Sequence, residues 1–212
     1  MAEQVIDYAL TTRNRVKDRM SITAAGFDTL FDRLVSGVTD FIESQCGRRF
    51  KETAYSGEVY SIYNDGQKHL LLKQFPVSVL SSIQYAAGIP GNKVWTNYGA
   101  SDYELVMDGK DGVTSESGLV RFYGFLPKGT NTIKVAYTAG YKIDFSNAGN
   151  STHTLPFDIS DLAERLIVRW FKRREAEGKS SEGTGDARVD WAKELSAEDL
   201  LTIDRYKRVL IV

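Results

Sequence analysis

With 212 residues, 42% hydrophobic and 11% aromatic, the chain is long enough to bury a core as one domain or as two small modules. Its 27 Lys and Arg against 28 Asp and Glu leave a formal net charge of −1, so nothing draws it globally to nucleic acid and any such contact depends on local arrangement. One cysteine excludes an internal disulfide and a cysteine-built metal cluster, no apolar run nears the ~20 residues of a membrane span, and the first residues lack a signal-peptide pattern, so a soluble product of a reducing cytoplasm is expected.

Taken in chain order, the first strong signal is a helix over residues 27–46. Phe27, Leu30, Phe31, Leu34, Val35, Val38, Phe41, Ile42 and Cys46 recur at steps of three and four, with Asp28, Asp32, Arg33, Asp40 and Glu43 expected mostly on the other side. Gly47 suits a left-handed cap, and Arg48 and Arg49 place positive charge near the helix's negative end. Residues 1–50 therefore supply the N-terminal helices of a bundle.

From residue 51 to 141 the period becomes strand-like. Residues 58–63, 69–73, 79–85, 103–107, 118–123 and 132–137 read as an antiparallel set, with turn chemistry at Asn64-Asp65-Gly66 and a ladder-blocking Pro76. Ile133, Val135 and Tyr137 fall on one face, Thr132, Lys134 and Ala136 on the other. Residues 86–93 and 108–117, rich in Gly, Pro, Asn and Asp, read as exposed loops. A polar return segment follows over 141–154.

A second helix starts at Pro156, placed in the first turn where a missing N–H costs nothing. Ile159, Leu162, Ala163, Leu166, Ile167, Trp170 and Phe171 form its apolar stripe; Arg165, Arg169, Lys172, Arg173 and Arg174 crowd its outer face and last turns. Residues 142–178 thus hold the return loop and the second core helix. The Gly/Ser-rich run 178–186 reads as a flexible hinge within the terminal segment 179–212. A last helix then opens with Ser196 as N-cap, Asp199 at its third position and Leu195 able to staple onto Leu200. Leu200, Ile203, Tyr206 and Leu210 make its apolar face, continued by Val209, Ile211 and Val212, an apolar end on a hinged element that reads equally as a partner site or as packing against its own bundle. Helices plus an inserted antiparallel block make the class α+β.

The inventory offers no catalytic machinery, cofactor motif or metal motif. His69 and His153 lack the neighbours of a zinc site, and no nucleophile elbow, phosphate loop or dinucleotide fingerprint is present. Asp102, Glu104, Asp108 and Asp111 lack the ordered spacing of a calcium loop and read as solvated turn carboxylates. Cys46 reads as a buried small hydrophobe.

Several short motifs occur in a fixed order: Tyr8-Ala9-Leu10-Thr11-Thr12, Val16-Lys17-Asp18-Arg19-Met20, Cys46-Gly47-Arg48-Arg49-Phe50, Phe75-Pro76-Val77, Val135-Ala136-Tyr137-Thr138-Ala139-Gly140-Tyr141, Leu155-Pro156 and Tyr206-Lys207-Arg208. In this order they resemble the head–tail connector proteins of tailed bacteriophages, the adaptors that dock beneath the portal, over nearly the whole length. The strand-rich block departs from the small helical members of that family. The resemblance implies a non-enzymatic virion neck protein, assembled in the host cytoplasm. It implies a ring of about twelve copies under the portal, lengthening the channel for genomic DNA without sequence-specific binding and offering a surface to the next neck or tail-completion protein. Portal and subunit contacts are then expected from Leu200, Ile203, Tyr206, Leu210, Ile211 and Val212, and from Arg165, Arg169 and Arg173, with Asp32 and Glu43 as outward acids of alternating-sign contacts. A nucleic-acid-binding module using the basic helix 165–174 is the alternative, and sugar stacking by Trp95, Tyr98 and Tyr123 a third reading.

Overall fold

The computed structural model describes residues 6–89, 92–145, 153–174, 181–184, 187–190 and 195–208. Their contacts divide into two compact units, one built from the residues up to Phe50 and from Lys142 to Arg208, the other from Lys51–Tyr141.

The first unit is helical. Helix α1 (Arg13–Met20) starts where the Thr12 hydroxyl accepts the Arg15 N–H, and ends at Ser21 in the left-handed conformation. A single 3-10 turn, Ala25–Phe27, leads into α2 (Asp28–Cys46), which stops at Gly47 with φ +65°, its N–H returned to Ser44 and Glu43 carbonyls. Helix α3 (Phe157–Arg173) is preceded by Pro156 at the cap rather than inside the first turn. Helix α4 (Ala197–Tyr206) carries the expected N-cap as a reciprocal box: the Ser196 hydroxyl accepts the Asp199 N–H, and the Asp199 carboxylate accepts the Ser196 N–H.

Two seams run along α2. The apolar one, Phe31, Val35, Val38, Ile42 and Cys46, has no exposed surface and meets Leu162, Ala163, Leu166 and Ile167 of α3 in one core. Phe31 stacks on Phe171 at 4.8 Å, and Phe41 meets Trp170 edge-on at 5.6 Å. The polar seam follows beside it at the same helical spacing: Asp28, Asp32, Ser36, Thr39 and Glu43. Thr39 accepts the Leu10 N–H at 3.2 Å, and Glu43 accepts the Phe50 N–H at 2.9 Å with Arg49 at 3.3 Å. Asp32 and Glu43 are therefore buried, 6% and 7% exposed, and not the outward charges their position suggested: Arg13 of α1 meets Asp32, and Arg49 and the Phe50 N–H, just past the end of α2, meet Glu43. Burial pushes the Glu43 carboxyl up, against the pull of the Phe50 N–H and Arg49. Cys46 is buried as expected, and burial raises its thiol to about 11.

Part of the stretch expected to be a flexible hinge is an antiparallel hairpin, Ser181–Thr184 against Ala187–Asp190. Leu210, Ile211 and Val212, with Val209, lie outside the described residues.

Among the described residues the second unit holds seven strands: β1 (Thr53–Ile62), β2 (His69–Leu71), β3 (Val77–Ile89), β4 (Asn92–Asn97), β5 (Tyr103–Leu105), β6 (Leu119–Phe122) and β7 (Gly129–Ala139). They form two antiparallel sheets instead of one set, ordered β1-β7-β3-β4 and β2-β6-β5. The predicted alternation in β7 holds: Ile133, Val135, Tyr137 and Ala139 are at most 1% exposed. They share a core with Ile62, Leu70, Leu72, Ile83, Val120 and Phe122 from both sheets. Residues 86–89 and 92–93, expected in a loop, are strand. Ala86 pairs with Trp95, Ala87 with Val94, Gly88 with Lys93 and Ile89 with Asn92, so cross-strand pairing overrides the local glycine signal.

Glu58 organises the polar part of this core. One of its oxygens accepts the hydroxyls of Tyr60 at 2.7 Å and Tyr137 at 2.6 Å, and those hydroxyls accept the N–H of Lys73 and Gln74. Burial, with the Glu58 carboxylate, raises both phenols above their ordinary range.

The turn out of β7 depends on Gly140, at φ +113°, where a Cβ would stand 2.6 Å from the Lys51 carbonyl oxygen. Gly140→Ala is expected to destabilise the protein by more than ~1 kcal/mol, read as a lower urea midpoint at unchanged slope.

Candidate interface on the helical unit

Helix α4 lies on the bundle by charge at both ends and apolar contact between. Asp199 has no exposed surface; its carboxylate accepts from Arg169 at 2.8 Å and lies 3.6 Å from Arg165. Arg165 also holds Asp161 at 3.1 Å and Glu198 at 3.2 Å. At the other end Asp158 accepts from Arg205 and from the Tyr206 hydroxyl, each at 2.8 Å. Between these ties Ile203 is 3% exposed, and the Cys46 thiol donates to its carbonyl at 3.8 Å. Burial alone would raise the Asp199 carboxyl, but the Ser196 N–H and hydroxyl together with the Arg169 guanidinium hold it below the usual carboxylate value.

This placement sorts the candidate residues. Ile203 and Tyr206 face the bundle, Tyr206 also meeting the Phe50 ring at 6.1 Å. Leu200 is 46% exposed and Leu201, absent from the predicted apolar face, is 69% exposed, so the solvent side of α4 is a leucine pair. Phe157, at the start of α3, is 73% exposed. The inward row is Asp199, Thr202, Ile203 and Tyr206, a helical stripe in which two polar residues outrank two leucines because each meets a partner on α3 or within α4. A signal was available: the residue at the third position of a capping box beside two arginines of a facing helix has reason to turn inward.

The basic residues of α3 are mostly engaged within the subunit. Arg165 and Arg169 bind α4, and Arg174 lies 3.9 Å from the Phe171 ring and donates to the Phe171 carbonyl. Lys172 is exposed and Arg173 half-buried, at the far end of the helix. Helix α1 repeats the pattern: Arg13 binds Asp32 at 2.9 Å, Lys17 binds Asp28 at 2.8 Å, Arg15 donates to Ser160, and Arg19 pairs with Asp161 and Glu164. No continuous phosphate-binding row results from these residues.

The β unit's candidate groups are also engaged. Asp102 accepts the Gly99 N–H, Glu104 accepts from Arg121 and Tyr123, Asp108 from the Glu116 and Ser117 N–H groups, and Asp111 from Val113 and Thr114. Among the described residues no group of three His, Cys, Asp or Glu is placed to hold a metal ion. His153 has a structural contact: its Nδ1 accepts the Asp144 N–H at 3.1 Å while the ring packs on Phe145. Tyr98 packs between Tyr85 and Phe122, and Trp95 lies under the Lys134 ammonium at 4.1 Å; of the three aromatics read as sugar platforms, Tyr123 alone is exposed, at 59%.

Residues 9–209 match the model of the head completion protein family, and the chain belongs to that family. The family is structural, and membership supports a head–tail connector role. One solved structure, the neck of an empty GTA particle computed with C6 symmetry, has a chain that aligns over 94% of this chain and 90% of its own length, with a TM-score of 0.52 at 14% identity. At that identity the likeness shows the fold. No curated protein matches the sequence. Among the described residues no helix is long and apolar enough to cross a membrane.

Asp199→Asn keeps the side chain's shape but removes the charge facing two guanidinium groups, and is expected to cost about 3 kcal/mol at neutral pH. The folded-state carboxyl titrates below its unfolded value near ~3.9, so its stabilising effect is complete above that value and is lost as pH falls through the folded one. The stability gap between parent and variant, measured by denaturant unfolding across pH, should stay constant down to mild acid and then close.

Proposed function

We propose that this protein is the adaptor that docks beneath the portal at the phage neck, a ring of about twelve copies that lengthens the DNA channel and receives the next neck or tail-completion protein. Family membership over residues 9–209, spanning both units, carries this reading. The neck origin of the GTA structure agrees with it, since that chain shares the fold along nearly its whole length. Closure of a ring needs one face of a subunit to meet a different face of its neighbour, and the exposed Leu200 and Leu201 on α4, with Phe157 on α3, supply apolar surface for such a contact or for portal. Arg173 with Lys172 adds charge at the other end of α3. The channel conducts DNA without gripping it, in keeping with a net charge of −1 and arginines paired to internal acids.

The leucine pair is the discriminating target. Leu200→Ser with Leu201→Ser should leave the melting temperature nearly unchanged, because neither side chain is in the core, while weakening co-sedimentation with portal rings. Portal binding equal to the parent's would remove α4 from the docking surface. Ring formation templated by portal is expected, so the isolated chain should sediment as a monomer; a stable ring without portal would overturn the templating. Against the nucleic-acid alternative, duplex DNA should show no saturable binding at physiological salt; tight binding that falls steeply with salt would favour it.

A further inference from the structure

Aspartate is followed by glycine at Asp65-Gly66, between β1 and β2, and at Asp108-Gly109 and Asp111-Gly112, between β5 and β6. Such a pair is reactive, because the nitrogen of a residue without a Cβ reaches the aspartate Cγ unhindered and a turn leaves the backbone room to bring the two together. The three pairs are held very differently. Asp108 accepts the N–H of Glu116 at 2.7 Å and of Ser117 at 3.2 Å, and Asp111 accepts the N–H groups of Val113 and Thr114, each at 3.0 Å, with the Thr114 hydroxyl at 2.9 Å. Their following nitrogens are tied as well: Gly109 donates to the Thr114 carbonyl and Gly112 to the Gly109 carbonyl, each at 3.0 Å. Asp65 instead meets Lys128 at 2.7 Å, with the two side chains 82% and 54% exposed, a surface pair of little worth. Among the described residues the Gly66 N–H has no hydrogen-bond partner.

We propose that Asp65 is a site of spontaneous covalent modification, at which the Gly66 nitrogen closes on the Asp65 carboxyl and converts the link to an isoaspartyl bond, while Asp108 and Asp111 are held out of the same reaction. The neutral acid is the reacting form. The Gly66 nitrogen bonds to Cγ, and the carboxyl hydroxyl leaves with the amide proton as water, giving a cyclic imide. Water then adds to the ring carbonyl on the Cα side and breaks its bond to nitrogen, so the main chain runs through Cγ and the α-carboxylate is freed. No oxidant or cofactor enters, and the residue's composition is unchanged. At Asp111 the Val113 N–H and the Thr114 hydroxyl hold the carboxyl below the usual range; at Asp108 burial would raise it, but the Ser117 and Glu116 groups bring it below, so the neutral acid is scarce at both. A nitrogen whose N–H already donates must also lose that bond before it can swing onto Cγ, which requires local opening, whereas the Gly66 nitrogen has none to lose. The product adds a methylene to the main chain of the β1–β2 turn, beside the exposed Phe125, whose ring stands 3.8 Å from where a Gly66 Cβ would be. Its β-linked residue with a free α-carboxylate is the substrate class of an isoaspartyl carboxyl methyltransferase.

The full chain would be incubated in warm neutral buffer made with heavy-oxygen water, folded in one sample and unfolded by guanidinium chloride in another, and then digested with trypsin. Cleavage after lysine and arginine places the three pairs in separate peptides, 52–68, 94–110 and 111–121. Isoaspartate in each is read by methylation with an isoaspartyl methyltransferase, and the gain of a heavy oxygen reports opening of the imide by water. The unfolded sample gives the rate each local sequence has without the fold. In 52–68 the folded protein should convert at close to that rate, while in 94–110 and 111–121 conversion should fall about tenfold or more below it. A folded-to-unfolded ratio at Asp65 no higher than at Asp108 and Asp111, or no isoaspartate in 52–68 of the folded protein over a period in which the unfolded chain converts, would overturn the proposal. The measurement involves neither portal nor ring, so its outcome and that of the connector reading are independent.

Discussion

A carboxylate with no exposed surface, Asp199, decides where α4 can lie. An unpaired charge in that position would cost several kcal/mol, so the first turn of α4 is confined to the place where Arg169 and Arg165 reach it and Ser196 closes the capping box. Once that end is set, helical geometry leaves little choice. Ile203 and Tyr206, one and two turns on, must enter the bundle, and Leu200 and Leu201 must leave it. Asp158, bound by Arg205 and Tyr206, closes the other end. The exposed leucine face of α4 is thus a consequence of an internal ion pair.

The same economy runs through the rest of the helical unit. Cations of α1 meet acids of α2 and α3, so a chain with 27 basic residues presents few of them as a continuous field. Ion pairs of this half-buried kind add modest stability, but they fix which helix faces meet, since a slip of one turn would strand several charges together. Their contribution is a single relative placement of the helices more than a large net stability. The β unit achieves its own definition by different means: one oxygen of Glu58 holds two tyrosines, whose hydroxyls in turn receive the backbone N–H groups of Lys73 and Gln74 between β2 and β3.

Much of the architecture was legible from short-range chemistry. The apolar period of α2, its stop at Gly47, the alternation of β7 and the box at Ser196 each involve residues within a few positions of one another, and each is present as read. The departures share a cause as well. Gly88 lies in a sequence resembling a loop, yet two strands pair through it because the partner run 92–97 supplies a complete ladder. Asp32 and Glu43 look like solvent-facing acids until Arg13 reaches the one and Arg49 with the Phe50 N–H the other, and Leu200 looks like core until Asp199 takes the inward place.

What the sequence by itself determined was therefore the two long helices and the capped last one, six of the seven strands described in the second unit, the α+β class and, through ordered motifs, the family. Those properties depend on propensity, periodicity and caps, whose energies are local to a turn or a strand. Only the tertiary structure decided which charges are buried and which leucines remain outside. Thr11 finds Glu164 across 153 positions, and Arg15 finds Ser160 across 145. A charge's worth depends on the partner and the dielectric around it, and both exist only once distant segments have met.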